Sequence, residues 1–572
     1  MKICALSWGL PRLQSICFVV LALLSSPVKG DPLGNGQVPE FGPFGIGACA
    51  LRGKDFGPWL PQIQELGVQC MRSPRVAFGA VEPTQGQFVW TSLDEQLAYG
   101  AANNIQFVGT LLGTPRWSTA DKPNALPLHS LDAWADYVTH LTGHTKGKIK
   151  YYEVWNEPPN GTKNAPPEDY AKVVVSAYDA AKAGDPDCLV GIAAKSVDLN
   201  YIARAIQAGA KDHFDFITLH PYETLGSVVD HPGLEPVYMA IVPEIRKMLA
   251  EIDPAKVNVP VIFTEIGVDA KHEGPDVQGE ALVKAYTMGI AQGIACINWF
   301  EGMDGDSGPM GLMEANGTKR PSFTALGQMI QYFGNRPKYL GWLQFNNKDY
   351  GFVFQGAKNP ILVTWAPVGV TDKIDLGAAS TIVDPLTGTT SSASTYDLTT
   401  APIIVDNAPA ALVTQAQANL SKPFPWDGDY TNATSVSVSF GATTETKGLH
   451  TLSGDSIAAS VVAYGGNARA GSGVEGGNVY IVDPNFLRYT STPIDITVVC
   501  RRDTTNAPAS LALEYESTTG SKKLPAVAIP DNTDWFTQTW HIDDSQFVGM
   551  YAFNFRFNNG PYLVRSVTVT KR

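Results

Sequence analysis

The sequence predicts an α/β protein, a (β/α)8 barrel of the TIM type followed by two all-β sandwich domains, and three observations lead there. Between about residues 41 and 335 one unit recurs, a short apolar run rich in β-branched and aromatic residues followed by an amphipathic helical pattern. The runs fall at 44–50, 68–74, 105–112, 151–157, 188–194, 214–220, 259–266 and 295–301. Strands that alternate with helices pair in parallel, and eight units in roughly 300 residues close into a barrel rather than spread into an open sheet. The second observation is the lack of a Gly-rich phosphate loop after the first run, which sets the doubly wound sheet behind the barrel. The third is that helical periodicity stops after Pro337.

Taken in order, the chain opens with Lys2 and Arg12 ahead of an apolar run from Ile16 to Leu24, and Val28-Lys29-Gly30 offers small residues for cleavage. This pattern predicts an export signal over 1–30 and a secreted, extracellular or periplasmic protein. The run is too short to span a bilayer, and no other segment approaches the roughly twenty apolar residues that insertion requires. Cleavage removes Cys4 and Cys17 and leaves Cys49, Cys70, Cys188, Cys296 and Cys500, an odd and scattered set with no metal-ligand spacing.

The barrel is expected over 31–335. Its helices are legible from spacing: Tyr170, Val173, Val174, Ala177, Tyr178 and Ala181 make one apolar stripe, ended by Gly184 and Pro186. Leu131, Trp134, Tyr137, Val138 and Leu141 make another behind Ser130, a residue suited to the N-cap. Residues 336–418 read as short strands between turns, a small β-sandwich. Residues 423–572, rich in Thr, Ser, Val and Gly, read as a second sandwich or jelly roll, an accessory domain, whose alternating Tyr551, Phe553, Phe555 and Phe557 read as its core, the alternative being a sugar-binding platform with Trp535 and Trp540. No Pro/Ser-rich linker separates the three bodies, so they are expected to pack together.

Two carboxylates carry the chemistry. Glu157 follows the apolar run in Tyr-Tyr-Glu-Val-Trp-Asn-Glu-Pro (151–158), and Glu265 follows Val-Pro-Val-Ile-Phe-Thr (259–264). Each stands where a strand ends and a loop begins, and parallel barrels hold their active sites at that end. Glu157 belongs to the fourth strand and Glu265 to the seventh, so both face one mouth. A pair of acids so placed suits cleavage of a glycosidic bond, one protonating the leaving oxygen and the other attacking the anomeric carbon. Burial and the neighbouring anion are expected to raise the pKa of Glu157. Neither step needs a metal or an organic cofactor. The net charge of −13 speaks against nucleic acid and anionic membrane as partners and favours a neutral carbohydrate. His140 and His144, at i and i+4, lack the adjacent glutamate and third ligand of a zinc site and read as a solvated helix face.

Trp155-Asn156-Glu157-Pro158 resembles the acid/base motif of the clan A glycoside hydrolases, and Thr264-Glu265-Ile266-Gly267 resembles their nucleophile motif. Within the clan, Gln85-Gly86-Gln87-Phe88-Val89-Trp90, Thr114-Pro115-Arg116-Trp117 and Gly317-Thr318-Lys319-Arg320-Pro321-Ser322-Phe323 look most like family 39, with family 5 close behind. The resemblance implies a retaining hydrolase of β-glycosides in a cell-wall or storage polysaccharide or its oligosaccharides. It implies that Asn156 binds the sugar 2-hydroxyl and that Arg72 keeps the nucleophile ionised. His220 and Tyr222 in Leu219-His220-Pro221-Tyr222 are expected beside the nucleophile, Trp299 as the floor of the sugar site, Trp117 as a wall and Glu301 on a hydroxyl. The stretch Asn298-Trp299-Phe300-Glu301-Gly302 departs from the family's usual ending. The alternative reading is a noncatalytic carbohydrate-binding protein on a barrel scaffold.

Overall fold

The computed structural model describes residues 42–47, 60–72, 76–118, 125–231, 233–305, 307–346, 349–426, 428–452, 457–461, 466–472, 477–489 and 491–572. The expected export signal and Cys49 lie outside the described residues.

Eight parallel strands close on themselves: β1 (Phe44–Gly47), β2 (Cys70–Arg72), β3 (Gln106–Leu111), β4 (Tyr151–Val154), β5 (Leu189–Lys195), β6 (Phe216–His220), β7 (Val261–Ile266) and β8 (Cys296–Trp299). Closure is made by β1 pairing with β8, Gly45 opposite Asn298. Every one of the eight apolar runs becomes a strand. The helical stripes also hold: in Pro167–Gly184 the buried residues include Tyr170, Val173, Val174, Ala177 and Ala181, and in Leu131–His144 they include Trp134, Tyr137, Val138 and Leu141. Ser130 stands at the N-cap, but its side chain makes no capping bond.

Side chains alternate along a strand, so the residues that fill the barrel share one parity on each strand. Cys70, Val108, Tyr151, Phe216, Ile262 and Cys296 pack together as one buried interior layer. Two residues further along each strand stand Arg72, Thr110, Glu153, Thr218, Thr264 and Asn298, all buried. The barrel therefore changes from apolar to polar one layer below its C-terminal mouth. Bonds within so deep a polar layer matter, because each unpaired group there costs about 1–3 kcal/mol.

Beyond the barrel, a six-stranded antiparallel sheet runs from Lys338–Leu343 to Ile403–Asp406. One face, with Phe352, Phe354, Ile361, Val363 and Trp365, joins the barrel's core. The other, with Leu343, Val353 and Leu362, packs on Leu412 and Ala416 of the helix Ala410–Asn419. That helix falls in a stretch read as strands and turns, and its Leu412 and Ala416 lie one helical turn apart on the sheet-facing side. The last body has a seven-stranded and a five-stranded sheet with a shared core that includes Val567, Val569, Tyr480, Phe555 and Phe557. Of the four alternating aromatics, only Phe555 and Phe557 lie in a strand and its core, whereas Tyr551 is exposed and Phe553 is half-buried.

This last body is fixed to the barrel. The Asn200 amide donates to the Ser517 and Gln546 carbonyls at 3.1 and 3.2 Å, and Arg488 pairs with Glu244 at 2.6 Å with both side chains nearly inaccessible. Removing one partner of such a pair strands the other charge out of water. Arg488→Met is expected to lower unfolding stability by about 3–5 kcal/mol in denaturant titration, and Arg488→Met with Glu244→Leu by much less.

Candidate active site

Glu157 and Glu265 reach the mouth by different local devices. Glu157 lies three residues past β4, in a turn where Trp155 (φ 69°) and Glu157 (φ 51°) both occupy the left-handed region. Side-chain-bearing residues rarely settle there unless the surroundings hold them. Here the Gly161 N–H donates to the Glu157 carbonyl at 2.7 Å and the Trp155 indole donates to the Gly161 carbonyl at 2.8 Å. A Cβ on Gly161 would stand 1.8 Å from the Asn156 carbonyl oxygen, so only glycine closes this loop. Glu265 lies inside β7, where the register against β8 shifts between Phe263 and Ile266. An irregularity of this kind breaks strict alternation and re-aims side chains. Thr264 and Glu265, neighbours in sequence, consequently both reach groups of the same site.

Arg72 ties the site together. Its guanidinium is buried and donates to Glu153, to Glu265, and to the Asn156 Oδ1 at 2.7 Å. Thr110 donates to the same Glu153 oxygen at 2.7 Å. With its oxygen taken by Arg72, Asn156 is left with its NH2 as the group to offer a ligand. The Tyr222 hydroxyl donates to the other Glu265 oxygen at 3.0 Å, and burial beside that carboxylate pushes the phenol well above its ordinary pKa. Tyr222 therefore stays protonated and remains a donor.

His220 joins the two acids. Its Nδ1 is 3.0 Å from Glu157 Oε1 and 3.7 Å from Glu265 Oε2, and its Nε2 is 3.0 Å from the Thr264 hydroxyl. The hydrogen bond from His220 holds the Glu157 carboxyl below its usual value and outweighs burial, which pushes the other way. The expectation of a raised Glu157 is thus corrected, because a cation-capable donor stands where only a neighbouring anion was foreseen. The same contact survives protonation of Glu157. The carboxyl O–H then donates to Nδ1 while Nε2–H donates to Thr264, whose hydroxyl can act in either sense.

Two further expected residues, Trp299 and Glu301, stand elsewhere. Trp299 is fully buried in the barrel's apolar core. Cys296 and Asn298 face the interior of β8, so Trp299 faces the helices and cannot floor the site. Phe300, of the opposite parity, meets Tyr222 edge-to-face with ring centroids 6.2 Å apart. Glu301 is also fully buried; its Oε1 accepts the Gly305 N–H at 3.0 Å, so it shapes the loop after β8 and does not meet a hydroxyl. Trp117 is half-buried in the loop after β3, its indole donating to the Glu82 carbonyl at 2.8 Å and its ring edge-on to Phe78. His140 and His144 stack on Phe88 and Trp90, which accounts for their spacing without a metal.

Glu157, His220 and Glu265 offer ligand atoms within 4.8 Å of one another, a spacing a cation can bridge. Each is already engaged, however, with a proton donor or with another of the three, as suits proton transfer. Glu153, Thr264, Thr110 and Phe300 were missed from sequence. Glu153 had a signal, a lone charge inside an apolar run of interior parity.

Residues 74–287, which span both glutamates, match the model of Glycosyl hydrolase family 10. Among solved structures, the chain is similar to a family 39 glycoside hydrolase from the gut symbiont Bacteroides cellulosilyticus WH2, with TM-score 0.55 and 17% identity over 64% of this chain and 80% of that one. A GH30 endoxylanase from Clostridium papyrosolvens C71 gives TM-score 0.47 and 16% identity over 65% and 97%. A glucosidase from Croceicoccus marinus gives 0.45 and 11% over 96% and 97%. The match over 74–287, with two acids at the ends of strands four and seven, supports a glycoside hydrolase of clan A. Family 10 provides its sequence match and family 39 stands among its structural neighbours.

Arg72→Met is expected to lower both melting temperature and kcat, because it strands Glu153 in the interior and releases Glu265. Adding Glu153→Gln should restore most of the stability, about 3–5 kcal/mol, and little of the turnover. Calorimetry and a steady-state assay on the single and double variants separate these two roles of the arginine.

Proposed function

We propose that the protein is a secreted retaining glycosidase that cleaves β-linked polysaccharide chains or their oligosaccharides by double displacement. The observation that carries this reading is the closeness of the acids: a Glu157 oxygen and a Glu265 oxygen lie within 4.8 Å. Retaining enzymes hold the two carboxyl groups about 5–5.5 Å apart, whereas inverting enzymes leave about 6.5–9.5 Å for a water between them.

In this mechanism Glu265, aimed by Arg72 and Tyr222, attacks the anomeric carbon and forms a glycosyl ester. Glu157 gives its proton to the departing oxygen. The Glu157 carboxylate, now accepting from His220, takes a proton from water as that water releases the sugar and frees Glu265. The His220 contact suits a group that alternates between acid and base, because it accommodates both states. Asn156 offers its amide NH2 to the 2-hydroxyl, and Phe300 offers an apolar face to the sugar ring. Products released from a panel of plant and algal polysaccharides would identify the sugar and the linkage. The expected export signal supports an activity outside the cytoplasm, which N-terminal sequencing of the mature secreted protein would test.

Glu265→Ala is expected to abolish all turnover. Glu157→Ala should still glycosylate with a dinitrophenyl glycoside, whose leaving group needs no proton, and then stall. Azide should rescue that variant and give a glycosyl azide of retained configuration, read by NMR; an inverted product would refute double displacement.

His220→Ala removes the contact that holds Glu157 down, so the acid keeps its proton to higher pH. The basic limb of kcat/KM is expected to move to higher pH in this variant. An unchanged limb would separate His220 from Glu157.

A further inference from the structure

Among the described residues, Val89 and Tyr551 are the large apolar side chains left exposed. Tyr551 belongs to the last β-body yet lies over the barrel's fifth strand, with the Lys195 ammonium 5.4 Å from its ring centroid. Lys195 ends β5, and its N–H donates at 2.9 Å to the carbonyl of Pro158, the residue after Glu157. Its charge is also among those that hold the Glu157 carboxyl down. Tyr551 is thus one residue removed from the loop of the general acid.

The segment that carries Tyr551 is built and not draped. Glu516 accepts the backbone N–H groups of Val548, Gly549 and Met550 at 2.8, 3.0 and 2.7 Å, and the Asn554 amide at 3.0 Å. A single carboxylate therefore holds the backbone just before Tyr551 and the side chain of Asn554 just after it. Arg556 lies over the Phe553 ring at 5.6 Å and pairs with Glu514 at 2.9 Å. Between this segment and the loop after β5 lies a cavity of about 450 Å³, lined by Asp198 and Asn200 of the barrel and by Glu514, Met550, Tyr551 and Phe553 of the β-body. A space of this size, with aromatic faces and a few polar groups, is within the range of small-ligand sites.

We propose that the last β-body completes the leaving-group side of the active site, with Tyr551 and Phe553 forming a distal subsite for a sugar unit of the departing glycan chain. The side follows from chemistry: the leaving group must lie against its proton donor Glu157, and Tyr551, which lines the cavity, lies over Lys195, whose N–H is bonded to the residue after Glu157. The occupant follows from continuity with that site and from its surface, since an exposed aromatic face beside carboxylate and amide groups suits a neutral pyranose. The assignment rests on the proposed glycosidase reading for the order of subsites, though not for the binding itself.

The test uses full-length protein with Tyr551→Ala and Phe553→Ala, cello- and xylo-oligosaccharides of two to six units, and the 4-nitrophenyl glycosides of both sugars. The ratio of kcat/KM on the longest cleaved oligosaccharide to that on the aryl glycoside is expected to fall about tenfold, mainly through KM, as suits loss of one stacking contact. Equal losses on both substrates, or none on either, would overturn the proposal. Calorimetric titration of Glu265→Gln with the same oligosaccharides reads binding without turnover. It should weaken about tenfold when Tyr551→Ala is added. If the wild type cleaved nothing but this difference persisted, the glycosidase reading would fail while the subsite stood; absence of binding by every oligosaccharide at millimolar concentration would overturn the subsite.

Discussion

A single guanidinium inside the barrel organises this active site. Arg72 is buried, and its charge is tolerated there only because Glu153, Glu265 and Asn156 surround it. Pairs of this kind are costly to desolvate and contribute more to specifying geometry than to net stability. Glu153 balances the arginine from beneath, which leaves its outer edge for Glu265 and for Asn156 beside Glu157. The three strands that bring these groups together, β2, β4 and β7, are not neighbours around the barrel except through this contact. Closure of the barrel and assembly of the site are therefore one event.

The two acids are poised by different neighbours. Glu265 is held by a permanent cation and by a phenol kept protonated by its surroundings. Glu157 meets a histidine whose two ring nitrogens can exchange donor and acceptor roles with a threonine behind it. In the proposed mechanism a fixed partner suits a nucleophile that must stay charged, and an adaptable partner suits a group that gives and then takes a proton. His220 and Tyr222 come from the end of one strand and the first turn after it, so a single element serves both acids.

Strand parity connects the sequence to this arrangement more closely than motif reading does. On β8 it sends Asn298 inward and Trp299 into the helical layer, and it leaves Phe300 at the mouth beside Tyr222. On β4 it sends Glu153 inward below Glu157. In the last β-body the four aromatics share one parity, and the start of the strand at Phe555 separates them: Phe555 and Phe557 fill its core, whereas Tyr551 and Phe553 precede the strand and Tyr551 meets Lys195 of the barrel.

The sequence by itself determined the eight strand-helix units, the place of Glu157 and Glu265 at the ends of the fourth and seventh strands, and the change to β-structure after the barrel. These are periodic or local properties, carried by apolar runs, helical stripes and residues next to them in the chain. Resemblance to the clan A motifs also brought out Arg72 and Asn156, and His220 and Tyr222 were legible at the end of the sixth strand. Tertiary structure alone decided which groups pair across the barrel: Arg72 with Glu153, 81 positions apart, and His220 with Glu157, 63 positions apart. It decided that Trp299 and Glu301 are buried, because closure fixes which parity faces inward and how the following loop folds over. It alone placed Tyr551 above the acid's loop, because docking of a separate β-body depends on the shapes of two surfaces and leaves no periodic trace in either stretch of chain.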